Sequence, residues 1–346
     1  MNYTTLPNTS IKISKICLGT MTFGNQNSKA EAHSQLDYVL EKGINFIDTA
    51  EMYPIGGNAK IFGSTERHIG SWINKIGKKE RENLVIATKI AGPNRGMTYI
   101  RNPLDFSKKS IIEAVELSLK NLQTDYIDLY QMHWPERIMN MFQKRGLQEL
   151  DPNWQENVFD VLTVYDGLIK EGKIKHIGVS NENPYGVMKF LLESEKHNLP
   201  RIATIQNPYS LLNRLYEVGL SEMCMRENVG LMAYSPLGFG FLTGKYLNGI
   251  PENSRMQLFP NFKRYINDNC HKATKLYKDL AEANNLTLTQ MSLAFVNQQQ
   301  CVTSTIIGAS TLEQLKENIA AFEVVLSDEI LNEIETIQEL IPNPAP

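Results

Sequence analysis

Eight short apolar runs, each followed by a stretch of helical patterning, constrain this chain more than any other feature. They occupy residues 16–18, 44–47, 84–88, 126–132, 175–179, 202–205, 230–234 and 304–307. Runs this short and this continuously apolar read as strands buried on both faces, as in a parallel sheet covered by helices. The intervening helices are expected at 30–41, 64–74, 107–122, 156–172, 184–197, 213–226, 271–298 and 312–321. Eight such units point to an α/β fold, a closed (β/α)8 TIM barrel. An open, doubly wound sheet has the same periodicity and is the alternative.

Two further pieces flank the repeat. Residues 3–6 and 11–14 alternate around the turn Pro7-Asn8-Thr9-Ser10, which predicts an N-terminal β-hairpin acting as a lid on one end of the core. A last helix over 328–340 packs outside the eight units. The expectation is one domain over 1–346, with the hairpin in 1–15 and the helix and tail in 327–346. Four connections exceed ordinary βα turns: 54–63, 91–106, 134–154 and 236–269. All follow strands, so in a barrel they rise from the C-terminal rim, where loops build pockets.

Composition removes several function classes. A formal charge of -3 leaves no broad surplus of cations for phosphate backbones, so nucleic acid is not expected as a partner. The N-terminal residues carry neither a basic region nor an apolar one, and no apolar stretch spans a bilayer, so a cytoplasmic protein without a membrane partner is expected. Cys17, Cys224, Cys270 and Cys301 include no C-x-x-C pair and read as inert thiols.

The chemistry collects where three strands end. The second run ends in Asp48, with Tyr53 five residues on; the third delivers Lys89 and the fourth His133. If the strands are parallel neighbours, these four side chains meet on one rim. A phenol in water ionises near pH 10. A neighbouring cation such as Lys89 favours its phenolate, and Asp48 would hold that ammonium. With His133 donating to a substrate oxygen, the group would polarise a carbonyl and protonate it. Taken singly, each residue reads more readily as a cap, a core ring or a solvated charge. No metal is expected: the chain has neither H-x-H nor H-E-x-x-H, and Pro135 separates His133 from Glu136.

After the seventh run, Tyr234-Ser235-Pro236-Leu237-Gly238-Phe239-Gly240-Phe241-Leu242-Thr243-Gly244-Lys245 gathers glycines, hydroxyls and a lysine. Exposed backbone N–H groups with one ammonium suit a pyrophosphate. The spacing misses the last glycine of a dinucleotide fingerprint and comes late for one.

With Gly43-Ile44-Asn45-Phe46-Ile47-Asp48-Thr49-Ala50 and the lysine and histidine strands, the chain resembles the aldo-keto reductases from about residue 16 to 326. The stretches Leu18-Gly19-Thr20-Met21-Thr22-Phe23-Gly24, Ala50-Glu51-Met52-Tyr53-Pro54 and 204–214 are most similar to the bacterial Tas-type branch. The resemblance implies a catalytic tetrad of Asp48, Tyr53, Lys89 and His133, and a barrel that binds NADP(H) without a Rossmann fold. It implies that Ser180 and Asn181, in Gly178-Val179-Ser180-Asn181, hold the nicotinamide carboxamide beside Gln206, with Tyr234 stacked on the ring. Ser235, Leu237, Gly238, Phe239, Gly240 and Lys245 correspond to a pyrophosphate loop. Arg255 and Ser310 correspond to a 2′-phosphate site, and Gln314, Glu317 and Asn318 to an adenosine site. Thr20, Met21, Asp48 and Gly308 complete the implied cofactor contacts. The cation at Arg255 independently suits a 2′-phosphate. The activity implied is NADP(H)-dependent reduction of a small-molecule aldehyde or ketone, with Trp134 lining the substrate pocket. A redox sensor similar to the potassium-channel β subunits is the alternative.

Overall fold

The computed structural model describes residues 1–93, 96–142 and 146–346; residues 94–95 and 143–145, within the two long loops expected at 91–106 and 134–154, lie outside the described residues. The hairpin forms as expected from β1 (Tyr3–Thr5) and β2 (Lys12–Ser14), paired antiparallel. Eight strands follow: β3 (Ile16–Gly19), β4 (Phe46–Asp48), β5 (Val85–Ile90), β6 (Ile127–Met132), β7 (Ile174–Ser180), β8 (Ile202–Pro208), β9 (Gly230–Tyr234) and β10 (Val302–Ile307). They run parallel in that order, and β10 pairs with β3. The sheet therefore closes into a (β/α)8 barrel, and the open alternative is excluded.

Outside it lie α1 (Lys29–Glu41), α2 (Ser64–Ile76), α3 (Lys78–Glu82), α4 (Lys108–Leu122), α5 (Val158–Lys170), α6 (Pro184–His197), α7 (Tyr216–Arg226), α8 (Arg255–Leu258), α9 (Asp268–Ala283), α10 (Leu288–Gln298), α11 (Leu312–Ala320) and α12 (Asp328–Leu340). Among the described residues, no helix is long and apolar enough to cross a membrane. The helix expected over 271–298 is in fact two. Asn285 turns left-handed at φ 57°, and Thr287 with Gln290 forms a capping box that starts α10 afresh. The helix expected from 213 begins at Tyr216, because Asn213 is held instead by backbone bonds to Ser210.

Alternation along each strand sorts the side chains. Cys17, Phe46, Ala87, Leu129 and Met232 point inward and, with Leu6 and Ile13 of the hairpin, form a small closed core. Ile47, Ile86, Tyr130, Ile177 and Leu231 point outward into the larger layer shared with the helices. The hairpin thus plugs the lower end of the barrel, as its lid-like sequence predicts. A polar floor to the upper site rests on that apolar plug.

Helix α2 approaches α4 closely enough to require glycine. A Cβ on Gly70 would stand 2.1 Å from the Asn121 carbonyl oxygen and 2.7 Å from the Leu122 carbonyl carbon. These are backbone atoms and cannot swing aside. Gly70→Ala should destabilise the fold by about 1–3 kcal/mol, seen as a lower urea midpoint at unchanged slope; an unchanged midpoint would contradict this packing.

Candidate active site

The inward-facing positions one step above the apolar plug are polar. Asp48 follows Phe46 by two residues, Lys89 follows Ala87, and Gln131 follows Leu129, so period-two alternation aims all three into the barrel. Strand pairing sets Asp48 opposite Ala87 and Lys89 opposite Gln131. Lys89 is 0% exposed. Its Nζ donates to Asp48 Oδ2 at 2.6 Å and to the Thr49 carbonyl at 2.7 Å. The other carboxylate oxygen accepts from Gln206 Nε2 at 2.8 Å and Gln131 Nε2 at 3.3 Å. A charge pair removed from water is tolerated only when its remaining hydrogen-bonding capacity is met, and here three groups share that task.

Tyr53 and His133 stand at the mouth above this pair. The Lys89 ammonium lies 5.2 Å from the Tyr53 ring centroid, and the Tyr53 and His133 rings meet edge-on with centroids 5.7 Å apart. All four residues expected at the strand ends are therefore neighbours. The charge balance on the phenol differs from expectation, however. Burial pushes Tyr53 well above the usual phenol value, Asp48 and Tyr234 push the same way, and Arg255 is the cation that opposes them. Lys89 donates to Asp48 and Thr49, and burial keeps Tyr53 a protonated donor.

On the other side of the mouth, Tyr234 donates to Asn181 Oδ1 at 2.6 Å, and Asn181 Nδ2 donates to the His133 carbonyl at 2.9 Å. Ser180 Oγ donates to the Gln206 carbonyl at 2.8 Å. Ser180, Asn181, Gln206 and Tyr234 thus form one connected polar wall. Next to it the loop after β9 folds into a tight 3-10 turn over Gly238–Thr243, with Ser235, Gly238, Phe239 and Gly240 all at positive φ. Leu237 caps this turn and packs against the core.

The cations around that loop suit an anionic cofactor. Arg255 lies over the Phe239 ring at 5.2 Å. The pKa of Lys245 is lowered by desolvation and by Arg255, and that of Arg255 is lowered by burial. No carboxylate is among the groups acting on Lys245, Arg255 or the further buried Arg264. Gly238, Gly240, Leu242 and Gly244 spend their N–H groups on turn bonds within the loop, so the charges of Lys245 and Arg255 are the groups best suited to serve a phosphate.

The remaining implied positions are arranged less tightly. Thr20 Oγ1 donates to the Asp48 carbonyl at 2.8 Å, and the Met21 carbonyl accepts from Ile55 at 2.8 Å, so both brace the mouth. Ser310 donates from N and Oγ to Gln314 Oε1 at 3.0 Å, and Asn318 Nδ2 donates to the Gly308 carbonyl at 3.4 Å, all around the start of α11. Glu317 is exposed there. Among the described residues no hydrogen bond or ion pair joins Arg255 to Ser310. Trp134 is 3% exposed and donates to the Pro93 carbonyl at 2.8 Å. It packs with Met97 and Ala91 beneath the loops, its ring 4.9 Å from that of His133.

A family model described as the aldo/keto reductase family matches residues 15–339. The chain belongs to the aldo/keto reductase family. It is 49% identical to "Protein tas" of Escherichia coli (strain K12), with 100% of both chains covered. It is 34% identical to "Uncharacterized oxidoreductase YrpG" of Bacillus subtilis (strain 168), covering 99% of this chain and 97% of that one. An "Aldo-keto reductase" of Babesia bovis is 36% identical across 68% of this chain and 88% of its own. The Tas-type resemblance read from short stretches thus extends over the full length, and the chain is an oxidoreductase by family.

Several residues of this aldo/keto reductase site carry no local sequence signal. Glu51, 0% exposed, accepts from the Ala91 backbone at 2.6 Å and pairs with Arg101 at 2.8 Å, tying the loop after β5 to the segment that bears Tyr53. Arg137, after His133, pairs with buried Glu182, beside Ser180 and Asn181. Only the parity of Gln131 with His133 could have marked any of them. Because the buried carboxylate of Asp48 depends on one cation, Lys89→Met should cost about 3–5 kcal/mol in urea unfolding, and Lys89→Met/Asp48→Asn should recover part of it. A single variant as stable as the parent would show that the pair is dispensable.

Proposed function

We propose that this chain is an NADP(H)-dependent reductase of aldehydes or ketones, with Tyr53 as general acid. The observation that carries the reading is a protonated phenol at the mouth of the barrel, with an ammonium beneath its ring and an imidazole beside it. The cofactor would be held by Ser180, Asn181, Gln206 and Tyr234 at the nicotinamide, by 235–245 at the pyrophosphate, and by Arg255 and Ser310 at the 2′-phosphate. When bound, it supplies a hydride to the carbonyl carbon. The support for a phosphate-bearing partner is the pair of cations Lys245 and Arg255 beside the glycine turn, neither in an ion pair with a carboxylate among the described residues.

His133 donates to the carbonyl oxygen and orients it toward the phenol. Tyr53 then gives its proton to that oxygen as negative charge develops, which completes the alcohol. The phenolate left behind is favoured by Arg255 and by the Lys89 ammonium under its ring. Asp48, itself held by Gln206 and Gln131, keeps that wholly buried ammonium in place. In the alcohol-oxidising direction the same phenolate accepts the proton.

Removing the donor should leave binding intact. Tyr53→Phe is expected to lower kcat for carbonyl reduction by about 10²–10⁴-fold, while NADPH binding followed by fluorescence changes little. Near-normal turnover would remove Tyr53 from this role. In the parent protein, NADPH oxidised at the same slow rate with every carbonyl tried would indicate a cofactor-binding sensor instead. Arg255→Leu should weaken NADPH by about 10–100-fold and NADH much less; equal losses for both would dissociate Arg255 from the 2′-phosphate.

A further inference from the structure

The third cation near the mouth has no task in the reaction described so far. Arg264 follows α8 in the long loop after β9 and is 7% exposed. Its guanidinium lies 5.6 Å from the ring centroid of Phe142, which belongs to the loop after β6 that begins with His133 and Trp134. On the other side it meets the phenols Tyr234 and Tyr265 as hydrogen-bonding neighbours, which favour its charged form against the cost of burial. Tyr234 in turn acts on Tyr53. Arg264 therefore sits at the seam between the aromatic wall assigned to the nicotinamide and the loop that roofs the reacting groups.

A guanidinium buried to this degree is ordinarily paired with a carboxylate, because its desolvation is otherwise uncompensated. The other strongly buried arginines of this protein follow that rule. Arg81 pairs with Asp128, Arg101 with Glu51, and Arg214 with Glu217 and Glu335. Among the described residues Arg264 forms no ion pair with a carboxylate; its neighbours are the phenols of Tyr234 and Tyr265 and the ring of Phe142. Lys245 and Arg255 already flank the glycine turn, whereas Arg264 faces Tyr234 and the loop after β6.

The loops over the mouth add the rest of a pocket. Met52, Tyr99, Met141 and Phe142 pack around Trp134. Phe262, two residues before Arg264, meets Phe239 and Phe259 edge-on. The surroundings are aromatic and thioether-rich, with one forked cation among them. That pattern suits a ligand with an apolar body and a planar anionic end, which a guanidinium engages through two parallel hydrogen bonds.

We propose that Arg264 is the anion-binding residue of the substrate pocket, and that the carbonyl compounds this site favours carry a carboxylate on an apolar, aromatic-sized frame. The proposal rests on the reductase reading for its carbonyl, but the anion site itself is separable from catalysis. A phosphate of the cofactor is the other anion within reach of such a residue, and binding and kinetic measurements separate the two.

Benzoate and benzamide are titrated into the NADPH-loaded full-length protein, with quenching of the cofactor's fluorescence as readout, and into the cofactor-free protein by calorimetry. Benzoate should bind at least about tenfold more tightly than benzamide. Arg264→Leu should abolish that difference and Arg264→Lys should keep part of it, while NADPH affinity changes less than about threefold. In turnover, 4-carboxybenzaldehyde should show a KM at least about tenfold below that of its methyl ester, and Arg264→Leu should level the two. An ester reduced as readily as the acid by the parent protein would overturn the proposal and leave the reductase reading standing. So would a loss of NADPH affinity of tenfold or more in Arg264→Leu with the benzoate preference retained, since the guanidinium would then serve the cofactor. If neither aldehyde is reduced, the reductase reading fails, and the benzoate comparison alone decides whether Arg264 binds an anion. If Arg264→Leu does not fold, the Arg264→Lys variant and the acid–ester and benzoate–benzamide comparisons on the parent protein decide it.

Discussion

The ion pair between Lys89 and Asp48 is the interaction on which the rest of the site depends. It lies inside a barrel whose next layer down is apolar, where an unpaired charge would be costly. Its geometry is over-determined: strand pairing sets the two backbones side by side, Thr49 takes a second ammonium hydrogen, and Gln206 and Gln131 hold the far carboxylate oxygen. Because Gln206 also pairs its backbone with Asn181, the same pair links the proton-donating side of the mouth to the polar wall opposite. A shift of Lys89 would therefore disturb both.

The loops above the barrel are held by a different device. Buried or half-buried charges cross from one loop to the next: Glu51 to Arg101, Arg137 to Glu182, and Glu136 to the backbone of Phe106 and the amide of Asn157. Each joins the segment after one strand to the segment after its neighbour. Long loops carry little core of their own, and charge-assisted bonds with good geometry are one means of giving them a defined position. The tyrosine and the histidine are placed by loops fixed in this way, on strands fixed by the barrel.

Against this, the loop after β9 is organised by conformation and charge. Residues at positive φ turn the chain over 235–240, and burial together with the nearby Arg255 lowers the pKa of Lys245. A region that accumulates cations without acids to match them is less stable alone than with an anion bound, and this is a physical reason to regard it as a binding surface. Arg81, Arg101 and Arg214 are by contrast each satisfied by carboxylates within the fold.

Much of this was legible in the chain itself, for physical reasons that can be named. Short apolar runs can only be strands buried on both faces, and the chemistry-bearing residues came at their ends, so Asp48, Lys89 and His133 declared a common rim once eight units were counted. Capping chemistry was local too, yet the box at Thr287 and Gln290 was hidden inside a continuous helical pattern, and two helices read as one. What the sequence determined by itself was the period: which positions alternate inward, and therefore which polar residues had to share the barrel's interior. Only the tertiary structure decided the partners. Closure of β10 onto β3, the sharing of Asp48 between Lys89 and Gln206, the clamp of Glu51 on Arg101, and the absence of an acid from the groups acting on Arg264 all join residues far apart in the chain. No local pattern encodes such pairings, because they depend on where separate segments meet after the barrel has closed.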